Sequence, residues 1–338
     1  MNAPCHRHGV APRCRAQGFS LIELMVAMAI GLLLLAAMVT VYVNGSQSNA
    51  ELEKSVRQIE SGRYAMDLLG EDISMSGYYG DLTTEDMAFQ TVGACETALA
   101  NLGWNNATSS IPVSITGLDP TEASALACLT HHKADTPALV IRRVDTTLLA
   151  PTAATDGSPY VQTSRCESDP VNTKFIVGAT PASFSLRNLG CTAPNGVYRY
   201  MTRIYYVSTC NECGLDTVPT LKRAELRGGA MAILPLAEGV EDMAFEFAFD
   251  VDGNGAPDVD RVGLSGVAGD ADNDWSNVVG TRVYLLTRTT EASPGFTSAK
   301  TYSLGLAGVR GPFPDNFKRR VYAMTNRLNN VAGPRELP

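Results

Sequence analysis

Glu23 occupies a position that calls for a chemical explanation. It is the only formal charge in the 25 residues from Phe19 to Val43, a run long enough to cross a bilayer as a helix. A single carboxylate in such a run is costly in hydrocarbon and becomes tolerable when it meets a cation. Ser20 and Glu23 also have the S-x-x-E spacing of a capping box, which satisfies free N–H groups where a helix begins. The sequence therefore gives Glu23 two compatible roles, as the partner of a cation and as part of a helix cap.

A second group of oxygen-bearing side chains lies between Asp250 and Asp260. Acidic and amide residues alternate with others there, and a glycine stands at the sixth position, as in the first half of a calcium loop. Oxygen-only ligands favour calcium over zinc or copper, although Arg261 replaces the usual bidentate glutamate. The alternative is an Asp/Asn/Gly-rich turn between two strands. No cofactor is required, and calcium is the one ion that the pattern favours, with these expected ligands: Asp250, Asp252, Asn254, the Ala256 carbonyl, Asp258 and Asp260.

Eight cysteines are divided between the two sides of the apolar run. Cys5 and Cys14 precede it, and the other six follow it. An even number of cysteines in an exported domain predicts disulfides. Six cysteines allow many connectivities, and sequential pairing is the simplest of them. The pairs would then be Cys95–Cys128, Cys166–Cys191 and Cys210–Cys213.

The last of these pairs also has the C-x-x-C spacing of redox motifs. A redox motif of this kind belongs in a βαβ setting, whereas Cys210-Asn211-Glu212-Cys213 follows a predicted strand. We therefore predict a turn closed by a tight disulfide. A zinc site would need two further thiols or imidazoles nearby.

Motifs for other enzyme chemistry are absent from the sequence. It contains no phosphate loop, dinucleotide fingerprint or HExxH zinc helix. His131 and His132 are adjacent, so in a strand they would point to opposite faces, and we interpret them as a polar loop pair. We predict that the protein is not an enzyme. Scattered carboxylates leave a membrane-anchored hydrolase open as an alternative, because a glycosidase-like pair is defined by spatial distance.

The charge distribution indicates how the chain is oriented. The formal net charge is −8, and removal of the three arginines in residues 1–18 changes it to −11. An acidic chain has no electrostatic surface for nucleic acid. Arginines ahead of the apolar run favour a cytoplasmic N-terminus, with everything after Val43 exported. A cleavable secretory signal does not fit, because the apolar core is too long, whereas a plain signal anchor is an open alternative.

The start of the apolar run resembles the class III signal of type IV prepilins and pseudopilins. The resemblance lies in Gly18-Phe19-Ser20-Leu21-Ile22-Glu23-Leu24 and the apolar residues behind it. In that family a membrane aspartyl peptidase cuts after the glycine and methylates the new N-terminus. The resemblance implies cleavage between Gly18 and Phe19, N-methylation of Phe19 and an assembly role for Glu23. The amine of a neighbouring subunit's Phe19 would supply the cation that Glu23 needs.

The helical period continues beyond the membrane-length segment. Apolar residues recur at steps of three, four or seven with charges between them, which predicts one long helix from Ser20 to Ser76. We expect this helix to be loosened near Gly45 and ended by Gly77 and Gly80. Its predicted buried face consists of Leu52, Val56, Ile59, Met66, Leu69 and Ile73.

The remainder of the chain has the composition of a β-rich domain. Ala244–Phe249 contains strictly alternating aromatic residues, which predicts a strand with one buried face. Leu148–Pro159 is expected to be a loop. The other predicted strands are Ala138–Val144, Lys174–Val177, Ser183–Leu189, Tyr198–Ser208, Thr220–Leu226, Met243–Phe249, Val278–Arg288 and Lys318–Met324.

These elements predict an α+β fold, and the resemblance to type IV prepilins implies that it is of the type IV pilin kind. The long helix would pack through its second half on an antiparallel sheet. The predicted divisions are a leader peptide (1–18), the transmembrane half of the helix (19–43), its amphipathic periplasmic half (44–80) and a globular β-rich domain (81–338).

Three stretches are similar to the PilW family of minor type IV pilins. The segment from Gly62-Arg63-Tyr64 to Gly77-Tyr78-Tyr79-Gly80 resembles the end of that family's long helix. Trp275–Leu285 and Lys318–Asn329 resemble its late and closing strands. The resemblance implies a structural subunit that initiates pilus assembly in a priming or tip complex. It would be a single-pass inner-membrane protein with a periplasmic domain, and later part of the extracellular pilus.

The same resemblance implies the partners. They would be other minor pilins, the major pilin, the prepilin peptidase and a tip adhesin. A minor pseudopilin of type II secretion is the nearest alternative, since it shares the helix and the start motif, and a lectin-like adhesin is a further one. The length of the chain and the Gly-Tyr-Tyr-Gly exit favour the pilus protein.

Overall fold

The computed structural model describes residues 18–84, 86–170, 172–267 and 274–336. The predicted leader up to residue 17, with Cys5 and Cys14, lies outside these ranges. The chain divides into two units, Met1–Glu53 and Lys54–Pro338. Helix α1 contributes residues to both of them.

Helix α1 extends without interruption over Leu21–Ser74. The predicted bounds, Ser20 and Ser76, are each within two residues of the observed ones. The predicted loosening at Gly45 is wrong, because the helix continues through that residue. Gly77 and Gly80 follow the helix with φ angles of 74° and 70°, which favour glycine, and the chain turns there as expected.

The buried part of α1 starts further along the chain than the spacing of its apolar residues predicted. Met66, Leu69 and Ile73 are buried, but Leu52 and Val56 are exposed. The first buried residue of α1 is Gln58, and Ile59 beside it is half-buried. An apolar stripe predicts which face of a helix can be covered, but it does not determine how much of that face is covered.

Fifteen strands and two short helices follow α1 in the described residues. The helices are α2 (Pro120–Ala125) and α3 (Asn329–Arg335). The strands are β1 (Ala88–Gln90), β2 (Ser110–Pro112), β3 (Ile115–Leu118), β4 (Ala138–Val144), β5 (Tyr160–Thr163), β6 (Phe175–Gly178), β7 (Val197–Ser208), β8 (Thr220–Arg227), β9 (Ala230–Glu238), β10 (Val240–Phe249), β11 (Val259–Gly263), β12 (Val278–Arg288), β13 (Tyr302–Ser303), β14 (Val309–Arg310) and β15 (Arg319–Arg327).

Two antiparallel sheets form the body of the second unit. One contains seven strands, with the order β3-β4-β7-β5-β6 and with β8 paired to β7 and β9 paired to β8. The other contains four strands in the order β11-β10-β12-β15. Two small pairs complete the fold, the parallel pair β1–β2 and the antiparallel pair β13–β14. The α+β class predicted from the sequence is confirmed.

One apolar core joins α1 to both sheets. Leu69 and Ile73 of α1 belong to the same buried cluster as Ile204 of β7 and Phe245 of β10. Glycines allow the helix to approach β15 closely, because a Cβ at Gly62 would overlap the ring of Tyr322. The second half of α1 is therefore an integral part of the globular unit.

Two strand predictions need correction. Ser183–Leu189 is not a strand, since it contains the end of a 3₁₀ turn and one isolated bridge at Arg187. The second correction concerns β10, which was predicted to have one buried face. Both of its faces are buried. Phe247 is fully buried, but Glu246 on the opposite face is only 1% exposed. Arg261 of β11 binds both carboxylate oxygens of Glu246, which explains how a charged residue is buried there.

Candidate functional site

The start of α1 forms the capping box that the sequence suggested. The backbone N–H of Ser20 donates to Oε2 of Glu23 at 2.9 Å, and the N–H of Glu23 donates to Oγ of Ser20 at 3.3 Å. Phe19 precedes the helix with 90% of its surface exposed. One oxygen of Glu23 is thus engaged by the cap. This contact accounts for part of the chemistry of Glu23 and leaves its predicted assembly role as a prediction.

The helix that follows is suited to a membrane by length and composition. Within the described ranges, α1 is the only helix long and apolar enough to cross a bilayer. Its side chains from Leu21 to Val43 are exposed, with the partial exception of Gly31. Exposed apolar surface of this extent indicates burial in lipid or against other helices.

A buried carboxylate connects the far end of α1 to the seven-stranded sheet. The carboxylate of Asp72 accepts hydrogen bonds from Arg143 Nε at 2.7 Å, Arg203 Nη1 at 2.7 Å and the Tyr205 hydroxyl at 2.8 Å. Only 3% of the Asp72 side chain is exposed. Burial raises the pKa of Tyr205, and so does the neighbouring Asp72. These contacts fix the rotation of α1 relative to the strands that carry the two arginines.

Glu225 of β8 continues this charge network across the sheet. It is fully buried and pairs with Arg203, Arg223 and Arg227. Burial raises its pKa, but the charge of Arg203 and the hydrogen bond from Arg227 outweigh that effect, so the pKa is lowered overall. Sequence reasoning missed this network. The available signal was Asp72 itself, an acid at the apolar spacing of Leu69 and Ile73.

The predicted calcium loop is a well-bonded turn after β10. Oδ1 of Asp250 accepts the N–H groups of Gly253 and Asn254 at 2.9 and 3.0 Å, and Oδ2 accepts that of Gly255 at 3.0 Å. Arg335 of α3 donates to the same Oδ2 at 3.0 Å. Burial raises the pKa of Asp250, but the hydrogen bonds from Arg335 and Gly255 lower it overall. Sequence reasoning missed Arg335, which lies 85 residues from Asp250.

Some of the predicted calcium ligands lie together and others do not. Carboxylate oxygens of Asp250, Asp252 and Asp258 lie within 4.8 Å of one another. Asp258 accepts the N–H groups of Val251 and Asp252, which also holds the turn closed. Asn254 is bonded to this trio, because its Nδ2 donates to Oδ2 of Asp252 at 2.9 Å, but its Oδ1 accepts the Ala256 N–H. Asp260 lies in β11. The donor set fits an oxygen-binding cation, but Arg335 already supplies countercharge to Asp250. Calcium binding stays a prediction.

The cysteines form three disulfides between sequence neighbours. The bonds are Cys95–Cys128, Cys166–Cys191 and Cys210–Cys213, with Cα–Cα distances of 6.0, 5.2 and 5.0 Å. This is the sequential pairing that was predicted as the simplest one. His131 lies close enough to Cys210 and Cys213 for a metal group, but those two sulfur atoms are bonded to each other. His132 contacts Ser124 and Thr136 in the same loop region.

Two protein-family models match this chain, one near its N-terminus and one in its C-terminal part. Residues 204–330 match the family model of the type IV pilus-assembly protein W, and residues 13–39 match the prokaryotic N-terminal methylation motif. The resemblance to the PilW family is confirmed. The PilW match includes the Asp250 turn and all strands from β8 to β15, and the methylation motif includes Gly18, Phe19 and Glu23.

The solved structures and curated sequences add little to this assignment. A type IV-like pilin from Thermus thermophilus is similar over 81% of this chain and 98% of its own, with 12% identity and a TM-score of 0.33. A TM-score that low supports no argument about this chain. No curated protein sequence matches it. The chain is a type IV pilin-like pilus component, and its place in the pilus has to be argued separately.

Proposed function

We propose that the protein is a minor pilin that helps to initiate type IV pilus assembly as part of a priming or tip complex. One observation supports this most strongly: a methylation motif leads into an exposed apolar helix, and the same chain contains a PilW match. That combination suits a subunit whose helix packs among other pilin helices. The role is structural and includes no catalytic step.

Processing precedes assembly in this proposal. The prepilin peptidase cuts between Gly18 and Phe19 and methylates the Phe19 amine. The chain is then a single-pass inner-membrane protein with its second unit in the periplasm. The exposed position of Phe19 ahead of the helix supports access by the peptidase.

Glu23 guides docking in the membrane. Its carboxylate pairs with the amine of a neighbouring subunit's first residue, and pairing relieves the cost of a charge in hydrocarbon. The neighbours are other minor pilins and the major pilin, and the assembled complex carries a tip adhesin outward.

Deletion of the gene tests this role against the pseudopilin alternative. We expect surface pili to fall to a small fraction of wild type, with the major pilin retained in the membrane, while secretion of exoproteins is unchanged. Complementation with the wild-type chain should restore the pili. Normal piliation with a loss of exoprotein secretion would instead support a minor pseudopilin of type II secretion.

A further inference from the structure

Lys222 of β8 is a buried cation that the pilus function does not use. Only 5% of its surface is exposed, and its Nζ lies 3.3 Å from the Sγ of Cys213. Burial lowers the pKa of this lysine, and the charge of Asp216 acts in the opposite direction. Within the described ranges, no carboxylate lies within ion-pair distance of the ammonium group. Its closest polar partner is thus a sulfur atom of the Cys210–Cys213 disulfide.

This contact favours the reduced state of the cysteine pair. A disulfide sulfur is neutral and a weak acceptor, so it compensates poorly for removing an ammonium group from water. A thiolate at Cys213 would form an ion pair with Lys222, and cationic neighbours are what stabilise reactive thiolates in proteins. The lysine therefore interacts more strongly with the product of reduction than with the disulfide.

The turn around the two cysteines does not depend on the disulfide for its shape. The carboxylate of Asp216 accepts N–H groups from Asn211 at 2.8 Å, Glu212 at 2.6 Å and Val218 at 2.9 Å. Hydrogen bonds from the Glu212 and Val218 backbone lower the pKa of this carboxyl. Asp216 therefore stays ionised at neutral pH and can hold the turn after the sulfur–sulfur bond breaks. Cys213 would then remain beside Lys222, and the bond could form again.

We propose that Cys210–Cys213 is a thiol–disulfide exchange site that accepts two electrons from a dithiol. A thiolate of the dithiol attacks the Cys210 sulfur, the disulfide bond breaks, and its electron pair leaves on the Cys213 sulfur, which pairs with Lys222. The second sulfur of the dithiol then attacks the mixed disulfide. It releases the Cys210 sulfur, which takes the remaining thiol proton, and the dithiol leaves as a disulfide.

The other two disulfides of the chain are internal controls for this proposal. In the described residues, no lysine or arginine nitrogen donates to the sulfur atoms of Cys95–Cys128 or Cys166–Cys191. They also close longer loops, with sequence separations of 33 and 25 against 3 for the proposed site. A short loop by itself makes a disulfide easier to reduce, so the effect of the lysine has to be separated by substitution.

The test is a reduction titration of the full-length protein in detergent. Samples are equilibrated at mildly alkaline pH over a series of reduced-to-oxidised dithiothreitol ratios, alkylated, and mapped by mass spectrometry. Cys210–Cys213 should be half reduced at a ratio at least about tenfold lower than the other two disulfides. If Cys210–Cys213 resists reduction as well as the other two disulfides, or better, the proposal is overturned. This result needs only the wild-type protein.

The second part of the test is substitution of Lys222. Lys222→Met should raise the half-reduction ratio of Cys210–Cys213 by up to about tenfold, the limit that one pKa unit of lost thiolate stabilisation gives at a pH above both thiol pKa values. Lys222→Arg should keep the wild-type ratio, and Lys300→Met at an exposed site should change nothing. In the reduced protein, the rate of Cys213 alkylation rises with pH, and the midpoint of this rise should lie at higher pH in Lys222→Met than in wild type. An unchanged ratio and midpoint in that variant would show that Lys222 has no part in the exchange.

Discussion

Glu23 combines two functions that single substitutions can separate. Its Oε2 accepts the Ser20 N–H in the capping box, and its charge is the feature that a neighbouring subunit's amine would recognise. Glutamine keeps an oxygen that can accept the Ser20 hydrogen bond, but it has no charge. The pair of variants Glu23→Ala and Glu23→Gln therefore distinguishes a helix cap from an assembly residue.

We expect both Glu23 variants to insert in the membrane at wild-type levels, because each makes the segment less polar. Both should be strongly depleted from sheared pili, since both lack the partner for the neighbouring amine. Quantitative immunoblots of membrane and pilus fractions provide the measurement. If Glu23→Gln assembles like wild type while Glu23→Ala does not, Glu23 acts only as a cap.

The second prediction at the scale of residues is that the Asp250 turn binds calcium. The gathered oxygens of Asp250, Asp252 and Asp258 suit a hard cation, and without a bidentate glutamate the dissociation constant should be on the order of 10⁻⁴ to 10⁻³ M. Millimolar calcium should raise the thermal midpoint of the full-length protein in detergent and give a heat signal in calorimetry. Asp252→Ala should abolish both responses, and Asp135→Ala, at an exposed acid elsewhere, should keep them. If calcium changes neither signal in wild type, the segment is only a turn held by Asp250 and Arg335.

Helix α1 and β15 meet through glycines, which gives a prediction at the scale of elements. A Cβ at Gly62 would overlap the Tyr322 ring, whereas a Cβ at Gly45 has nothing within 4 Å. Gly62→Ala should destabilise the protein because overpacking costs about 1–3 kcal/mol, more than the roughly 1 kcal/mol gained in helix propensity. Gly45→Ala has the propensity gain without the overlap. Thermal midpoints of the two variants in detergent should move in opposite directions, and a stabilised Gly62→Ala would contradict the close packing.

Asp72 attaches the same helix to the seven-stranded sheet. Asp72→Asn would leave Arg143 without its carboxylate partner and Arg203 with Glu225 alone, and breaking a buried pair of this kind costs about 3–5 kcal/mol. Asp67→Asn, at an exposed position of α1, is the matched control. Urea unfolding followed by tryptophan fluorescence should show a large loss of stability for Asp72→Asn alone. Equal midpoints for both variants would mean that the network does not hold the helix in place.

The sequence was most informative where an element carries its own pattern. β4 and β12 have the predicted bounds, Ala138–Val144 and Val278–Arg288, because both segments are rich in apolar and β-branched residues. β9 was missed, since Pro235 argues against a strand, and the structure places it at the end of the seven-stranded order, paired only with β8. Pairing between distant residues, as in Asp72 with Arg203, depends on the fold and has no local pattern.

The same distinction applies to the candidate sites. The Ser20–Glu23 box could be predicted from its short spacing. The even number of cysteines predicted disulfides but left their connectivity open, and sequential pairing was the simplest choice. The roles of Arg335 and Lys222 could not be predicted, because each meets its partner only after the strands and helices have packed. An acidic cluster such as Asp250–Asp258 therefore needs the structure before its charge can be assigned to a metal or to an arginine.

At the scale of the whole molecule, one chain combines two units of different character. The first unit contains an exposed apolar helix that begins at a methylation motif, and the second unit contains the PilW match on two antiparallel sheets. In the proposed function, the subunit is anchored in the membrane before assembly and leaves it with the pilus. In the proposed function, processing at Gly18 comes first, so the N-terminus of the mature chain shows whether this step took place.

The most direct measurement is mass spectrometry of the N-terminal peptide in pili sheared from cells that also express the prepilin peptidase. We predict a peptide that begins at N-methylated Phe19, present in far smaller amounts than the major pilin. Peptidase-deficient cells should retain the full-length chain in the membrane and have none of it in the sheared fraction. A chain that is absent from wild-type pili, or one cleaved at a site other than Gly18–Phe19, would contradict the assignment as a minor pilin.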